Sequence, residues 1–181
     1  MKKLDNYILS KQFHVESFLK KRNVEIHNLD SLSKNWENHF FRVKDLSDEE
    51  IAEYLQEESF YIEGSLCMWS YGREILSFKE WDLVDQLWAY FIDALHAIII
   101  CGEAKKEFYF PDQPLQVKIE KYKRDLKITI SDDKPLQLPQ QTFCMIFLEA
   151  GKQFLKRLVK VDPSNNEYIS RAQEVLDNFE K

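Results

Sequence analysis

An apolar run from Glu80 to Gly102, EWDLVDQLWAYFIDALHAIIICG, sets the first condition on any fold for this chain. Val84, Leu87, Trp88, Phe91, Leu95, Ile98 and Ile99 recur at helical spacing and form a broad apolar face, and Gly102 supplies the stop. The run has nearly the length of a membrane span. Asp82, Asp85, Gln86, Asp93 and His96 interrupt it, however, and would make insertion costly. A water-soluble helix this apolar must be covered by a sheet and by other helices. Its polar positions also collapse onto one narrow stripe: Gln86, Ala89 and His96 follow Asp82 at four, seven and fourteen residues, with Asp93 on the same side.

The strands that would cover it are legible on both sides. Between Phe60 and Phe78 the chain alternates Phe60, Ile62, Gly64, Leu66 and Met68 against Tyr61, Glu63, Ser65, Cys67 and Trp69, which predicts a hairpin turning at Tyr71-Gly72. Three further strands are expected at Glu107–Phe110, Leu115–Lys121 and Asp125–Ser131. The last two form a hairpin with one wet face, as antiparallel sheets allow. Pro135 and Pro139 then mark a loop. Gln141–Val161 reads as an amphipathic helix, and Ser164 with Glu167 as a capping box opening a last helix to about Phe179. With only 4 Gly and 5 Pro in 181 residues, tight turns are few and long elements are favoured. Upstream, Leu4–Leu19 is expected to be helical and His39–Val43 a short strand. Ser47 and Glu50 make a capping box for a helix with Ile51, Tyr54 and Leu55 on its inner side.

The fold class expected from this pattern is α+β: an antiparallel sheet of about five strands, a long buried helix between strands, and C-terminal helices packed on one face. A single domain over 1–181 is expected, with a mainly helical N-terminal lobe (1–58), a sheet and helix core (59–161) and a C-terminal helix (162–181).

Charge and composition narrow the function classes. Residues 45–58 hold Asp45, Asp48, Glu49, Glu50, Glu53, Glu57 and Glu58 with no Lys or Arg. An acidic face of this kind suits a basic protein partner and not nucleic acid. The basic hairpin Lys118, Lys121, Lys123, Arg124 and Lys127 is diluted by Glu120 and Asp125 and reads as a solvated face. Cys67, Cys101 and Cys144 are isolated in apolar surroundings, which predicts buried reduced thiols in a cytoplasmic protein; the opening MKKLDNYILSKQF lacks a signal-peptide apolar core. No phosphate-binding glycine loop, nucleophile elbow or metal-ligand spacing occurs, so no cofactor, metal or membrane is expected.

Two sets of candidate residues remain. Asp48, Glu49, Glu53 and Glu57, with Tyr61 and Trp69 on the outer face of the predicted strand, are candidates for protein contact. Asp93 and His96, three apart on one helical face, are candidates for a pocket in which the carboxylate orients the imidazole. His14, His27 and His39 read as ordinary surface or core histidines.

The order of EGSLCMWSYGREI, WDLVDQLWAYFIDAL, EFYFPDQPLQVKIEKYKRDLKITI and TFCMIFLEAGKQFLKRL, over roughly residues 60–161, resembles small bacterial proteins encoded beside polymorphic toxins as immunity proteins. The likeness is one of element order, without a diagnostic motif. It implies a non-enzymatic cytoplasmic protein that neutralises a partner, such as a basic toxin domain. The alternatives are a small-molecule enzyme or ligand-binding domain with its pocket near Asp93 and His96, and an oligomeric scaffold or adaptor, a homo-oligomer built through sheet edges.

Overall fold

A computed structural model describes residues 13–57, 61–131 and 133–180, with the side chain of Glu57 excepted. The expected α+β class, with antiparallel sheets and C-terminal helices, is what the chain adopts. Its contacts divide it into two compact units, Met1–Val84 and Asp85–Lys181.

In the first unit, strands β1 (Phe13–Lys20), β2 (Phe40–Arg42), β3 (Glu63–Ser70) and β4 (Arg73–Leu76) form an antiparallel sheet of order β2-β1-β3-β4, and the short β5 (Asp82–Leu83) also pairs with β3. Helix α1 (Asp48–Glu57) lies between β2 and β3 in sequence. Its predicted capping box forms: Ser47 N–H donates to Glu50 Oε2 at 2.6 Å and Glu50 N–H to Ser47 Oγ at 3.1 Å. The β3–β4 hairpin turns on Tyr71 and Gly72, both with positive φ, as a two-residue turn of the twist-matched kind requires.

The segment 13–20, expected to be helical, is a strand at the middle of this sheet. The reason is its burial. Phe13, Val15 and Leu19 point to one face and His14, Glu16 and Phe18 to the other, and all six are buried; the alternation of Phe13-His14-Val15-Glu16 breaks at Ser17-Phe18-Leu19, so the period of two is too short to mark the strand. The rest of the expected helix, residues 4–12, lies outside the described residues. Where β1 meets β3, a Cβ on Gly64 would stand 2.1 Å from the Phe18 carbonyl oxygen, so no other residue fits there.

One face of the sheet carries a cluster of Phe18, Leu32, Phe40, Cys67, Trp69 and Phe78, with Trp36 stacked on Phe78 at 5.6 Å. Two short 3₁₀ turns, Leu29–Lys34 and Phe78–Glu80, supply Leu32 and Phe78.

The second unit contains helix α2 (Val84–Ile99), whose Leu87, Trp88, Phe91, Leu95 and Ile98 are fully buried. A meander of β6 (Lys105–Tyr109), β7 (Gln116–Tyr122), β8 (Asp125–Ile130) and β9 (Leu136–Pro139) follows, and then α3 (Gln140–Leu158) and α4 (Asn165–Phe179). Strand β9 replaces the loop expected between Pro135 and Pro139. Leu136 and Leu138 point inward there, and the prolines fall at the ends of an edge strand, where a missing N–H is tolerated. Trp88 packs on Phe147 at 4.6 Å and on the backbone of Gly151, where a Cβ would come within 2.7 Å of the indole.

The second predicted capping box does not form. Ser164 already has helical dihedrals; its N–H and Oγ both donate to Asp162 Oδ1, and Glu167 turns to Arg171. Among the described residues no helix is long and apolar enough to cross a membrane.

Candidate functional site

On α1 the acidic face is solvent-exposed. Asp48, Glu49, Glu50 and Glu53 all reach water while Ile51, Tyr54 and Leu55 are buried beneath them. Among the described residues Glu49 and Glu53 have no cationic partner. Glu57 is the last residue of the helix and its side chain lies outside the described set. Beside this face lies a cavity of about 440 Å³ lined by Val24, Phe41, Leu46 and Tyr54, with Glu50 and Glu53 on one side and Lys21 and Arg22 on the other. Both cations are engaged locally: the Lys21 ammonium donates to the Glu37 carbonyl at 2.6 Å, and the Arg22 guanidinium lies 4.6 Å from the Tyr54 ring. The two cations and the two carboxylates of the rim balance in formal charge, and the acidic excess lies on the exposed α1 face that carries Glu49.

The two aromatic candidates separate. Tyr61 is 65% exposed, whereas Trp69 is 5% exposed, stacked on His14 at 5.7 Å within the core cluster. The condition for an exposed Tyr61–Trp69 patch, an uncovered strand face, is not met at Trp69. The 3₁₀ turns and the β1 side chains of that face cover the indole.

Behind Trp69 lies a charge cluster that the sequence reading did not anticipate. Glu16 on β1, 7% exposed, accepts two hydrogen bonds from Arg42 at 2.5 Å each and one from Lys44 at 2.6 Å, and His14 Nε2 stands 2.9 Å from its Oε1. Burial alone would raise the Glu16 pKa. The contacts with His14, Lys44 and Arg42 outweigh it and hold the carboxyl down at about 2. Reading 13–20 as a strand would have placed His14 and Glu16 on one face; nothing local pointed to Arg42 or Lys44.

In the second unit the predicted stripe resolves into separate roles. Asp82 does not belong to it: it lies on β5 of the first unit, buried, accepting from the Leu83 N–H at 2.6 Å. Asp85, in the first turn of α2, has its pKa raised by burial. Asp93 and His96 both line a shallow cavity of about 300 Å³ with Tyr90, Lys106, Phe108 and Arg171. Asp93 is salt-bridged to Arg171 of α4, which also binds Glu167. The carboxylate on the His96 ring is not Asp93 but Glu174, whose Oε2 lies 2.8 Å from Nε2. On the other side of the ring, Cys101 Sγ lies 3.9 Å from Nδ1.

The three cysteines differ as well. Cys67 and Cys144 are buried as expected, and burial pushes Cys144 up to about 12 and Cys67 well above its ordinary value. Cys101 is exposed, because the chain has left the helix and its apolar face by that point. Set against known proteins, the chain matches no family model, no curated protein and no solved structure. Among the described residues no group of three His, Cys, Asp or Glu is arranged to hold a metal ion.

Proposed function

We propose that the protein is a non-enzymatic binding protein of the toxin-immunity kind, acting in the cytoplasm on a basic partner domain through the α1 face of its first unit. The observation that carries this reading is the pairing of unneutralised Glu49 and Glu53 with an apolar cavity of about 440 Å³ beside the same helix. The carboxylates would steer a basic surface and fix its orientation, and Phe41, Leu46 and Tyr54 would receive an apolar or aromatic anchor from it. Tyr61, exposed beyond the end of α1, extends the same candidate surface.

Co-expression with the product of the neighbouring gene tests the proposal. The expected outcome is rescue of growth and a stable complex. Glu49→Lys with Glu53→Lys should weaken that complex about tenfold or more and remove most of its salt dependence. A neighbour that is neither toxic nor bound would overturn the reading.

A ligand-binding alternative is favoured by one observation, the cavity beside Asp93 and His96. It ranks second because both residues are already satisfied by partners on α4, which leaves their polar atoms little to offer a ligand.

A further inference from the structure

We propose that Cys101, His96 and Glu174 form a thiol-activating relay, and that Cys101 is a modification site that undergoes exchange with low-molecular-weight disulfides. The inference is independent of the binding surface, since all three residues belong to the second unit.

The geometry begins with how α2 ends. In a regular helix a residue five positions on is rotated well away from its predecessor. Here the last turn widens: both Ile100 N–H (2.9 Å) and Cys101 N–H (3.3 Å) donate to the His96 carbonyl. Gly102 then takes φ 78°, and Glu103 N–H closes the end on the Ala97 carbonyl at 3.0 Å. The widened turn carries Cys101 back over His96, so that Sγ faces Nδ1 at 3.9 Å.

Glu174 fixes the rest. A carboxylate only accepts, so its Oε2 at 2.8 Å places the ring proton on Nε2 and leaves the Nδ1 lone pair toward the thiol. Cys101 is exposed, so a reagent reaches it directly. Cys67 and Cys144 are buried and have no such partner.

The step balances without a further reactant. The Cys101 proton passes to His96 Nδ1, and the thiolate attacks one sulfur of the disulfide. A new S–S bond forms as the old one breaks, and the departing thiolate takes the proton back from the imidazolium. Cys101 is oxidised to a mixed disulfide, and the other half of the reagent is reduced to a thiol. Glu174 acts as a positioning residue, through His96.

Oxidised glutathione and the full chain test this, with the adduct followed by intact mass and located by peptide mapping. The expected result is one glutathionyl group per native chain, on Cys101, and none on the Cys101→Ser variant. His96→Gln should slow the reaction about tenfold and Glu174→Ala about threefold, with the latter still folded and its melting temperature lowered by no more than about 4 °C because its side chain is largely exposed. Should His96→Gln unfold, Glu174→Ala alone decides the matter. Modification at Cys67 or Cys144 of the folded chain, or equal rates for wild type and Glu174→Ala, would overturn the proposal.

Discussion

Two histidine–glutamate contacts under 3 Å among the described residues serve opposite ends, a third, His27 with Glu25 at 3.4 Å, being fully at the surface. His14 and Glu16 stand 2.9 Å apart in the first unit, their side chains 10% and 6% exposed. His96 and Glu174 stand 2.8 Å apart in the second, 21% and 57% exposed. Around Glu16 are two further cations, Arg42 and Lys44, and against His14 lies the face of Trp69. Among the described residues no comparable cation cluster surrounds Glu174, and beyond His96 lies a thiol. The same residue pair is a fixed element of the core where it is buried and over-supplied with charge. Where it is open to water beside a nucleophile, it becomes a site capable of chemistry.

The largest effect expected from this contrast is on stability. Glu16→Ala removes the one carboxylate that Arg42 binds among the described residues while leaving that guanidinium mostly buried, and should cost about 3–5 kcal/mol in denaturant unfolding. Glu174→Ala, an exposed pair, should cost about 1 kcal/mol or less. Equal losses would break the comparison. Acid titration sharpens it further. The Glu16 pKa of about 2 lies below the ordinary value, so its contribution is fully present above about pH 4.5 and is lost as the pH falls through about 2. The depression corresponds to about 3 kcal/mol. Glu16→Gln should be less stable at neutral pH and show a flatter acid profile. A wild-type profile no steeper than that of the variant would show that the cluster does not hold Glu16 ionised.

How far sequence could reach follows the same division. The α2 run, the β3–β4 hairpin with its Tyr71-Gly72 turn, the β7–β8 hairpin and the first capping box were legible, because each is written in a local period or a local pair of residues. Strand β1 was not, since its alternation runs only from Phe13 to Glu16 before Ser17 and Phe18 break it. Strand β9 was hidden by the prolines that bound it. The pairing of Asp93 with His96 was inferred from helical spacing alone. The structure divides the two between Arg171 and Glu174, each 78 residues distant, and such long-range partners leave no trace in a local pattern. Cys101 was misplaced among the buried thiols because Ile98, Ile99 and Ile100 precede it. Its exposure depends on the helix stopping one residue earlier than the apolar run does.

The smallest effect belongs to the other charged group on α4. Arg171 bridges Asp93 and Glu167, and its ionised form is favoured first by the hydrogen bond to Asp93. The group is largely solvated, so the attraction is weakened by water and screened by salt. Arg171→Ala should therefore lower stability by about 0.5–1 kcal/mol in low salt and by less in about 0.5 M salt. Because Asp93 and His96 have separate partners, the same substitution should leave the rate of glutathione addition at Cys101 unchanged. A change in that rate would mean that Asp93, once freed from Arg171, reaches the His96 ring, and that the two halves of the polar stripe act together after all.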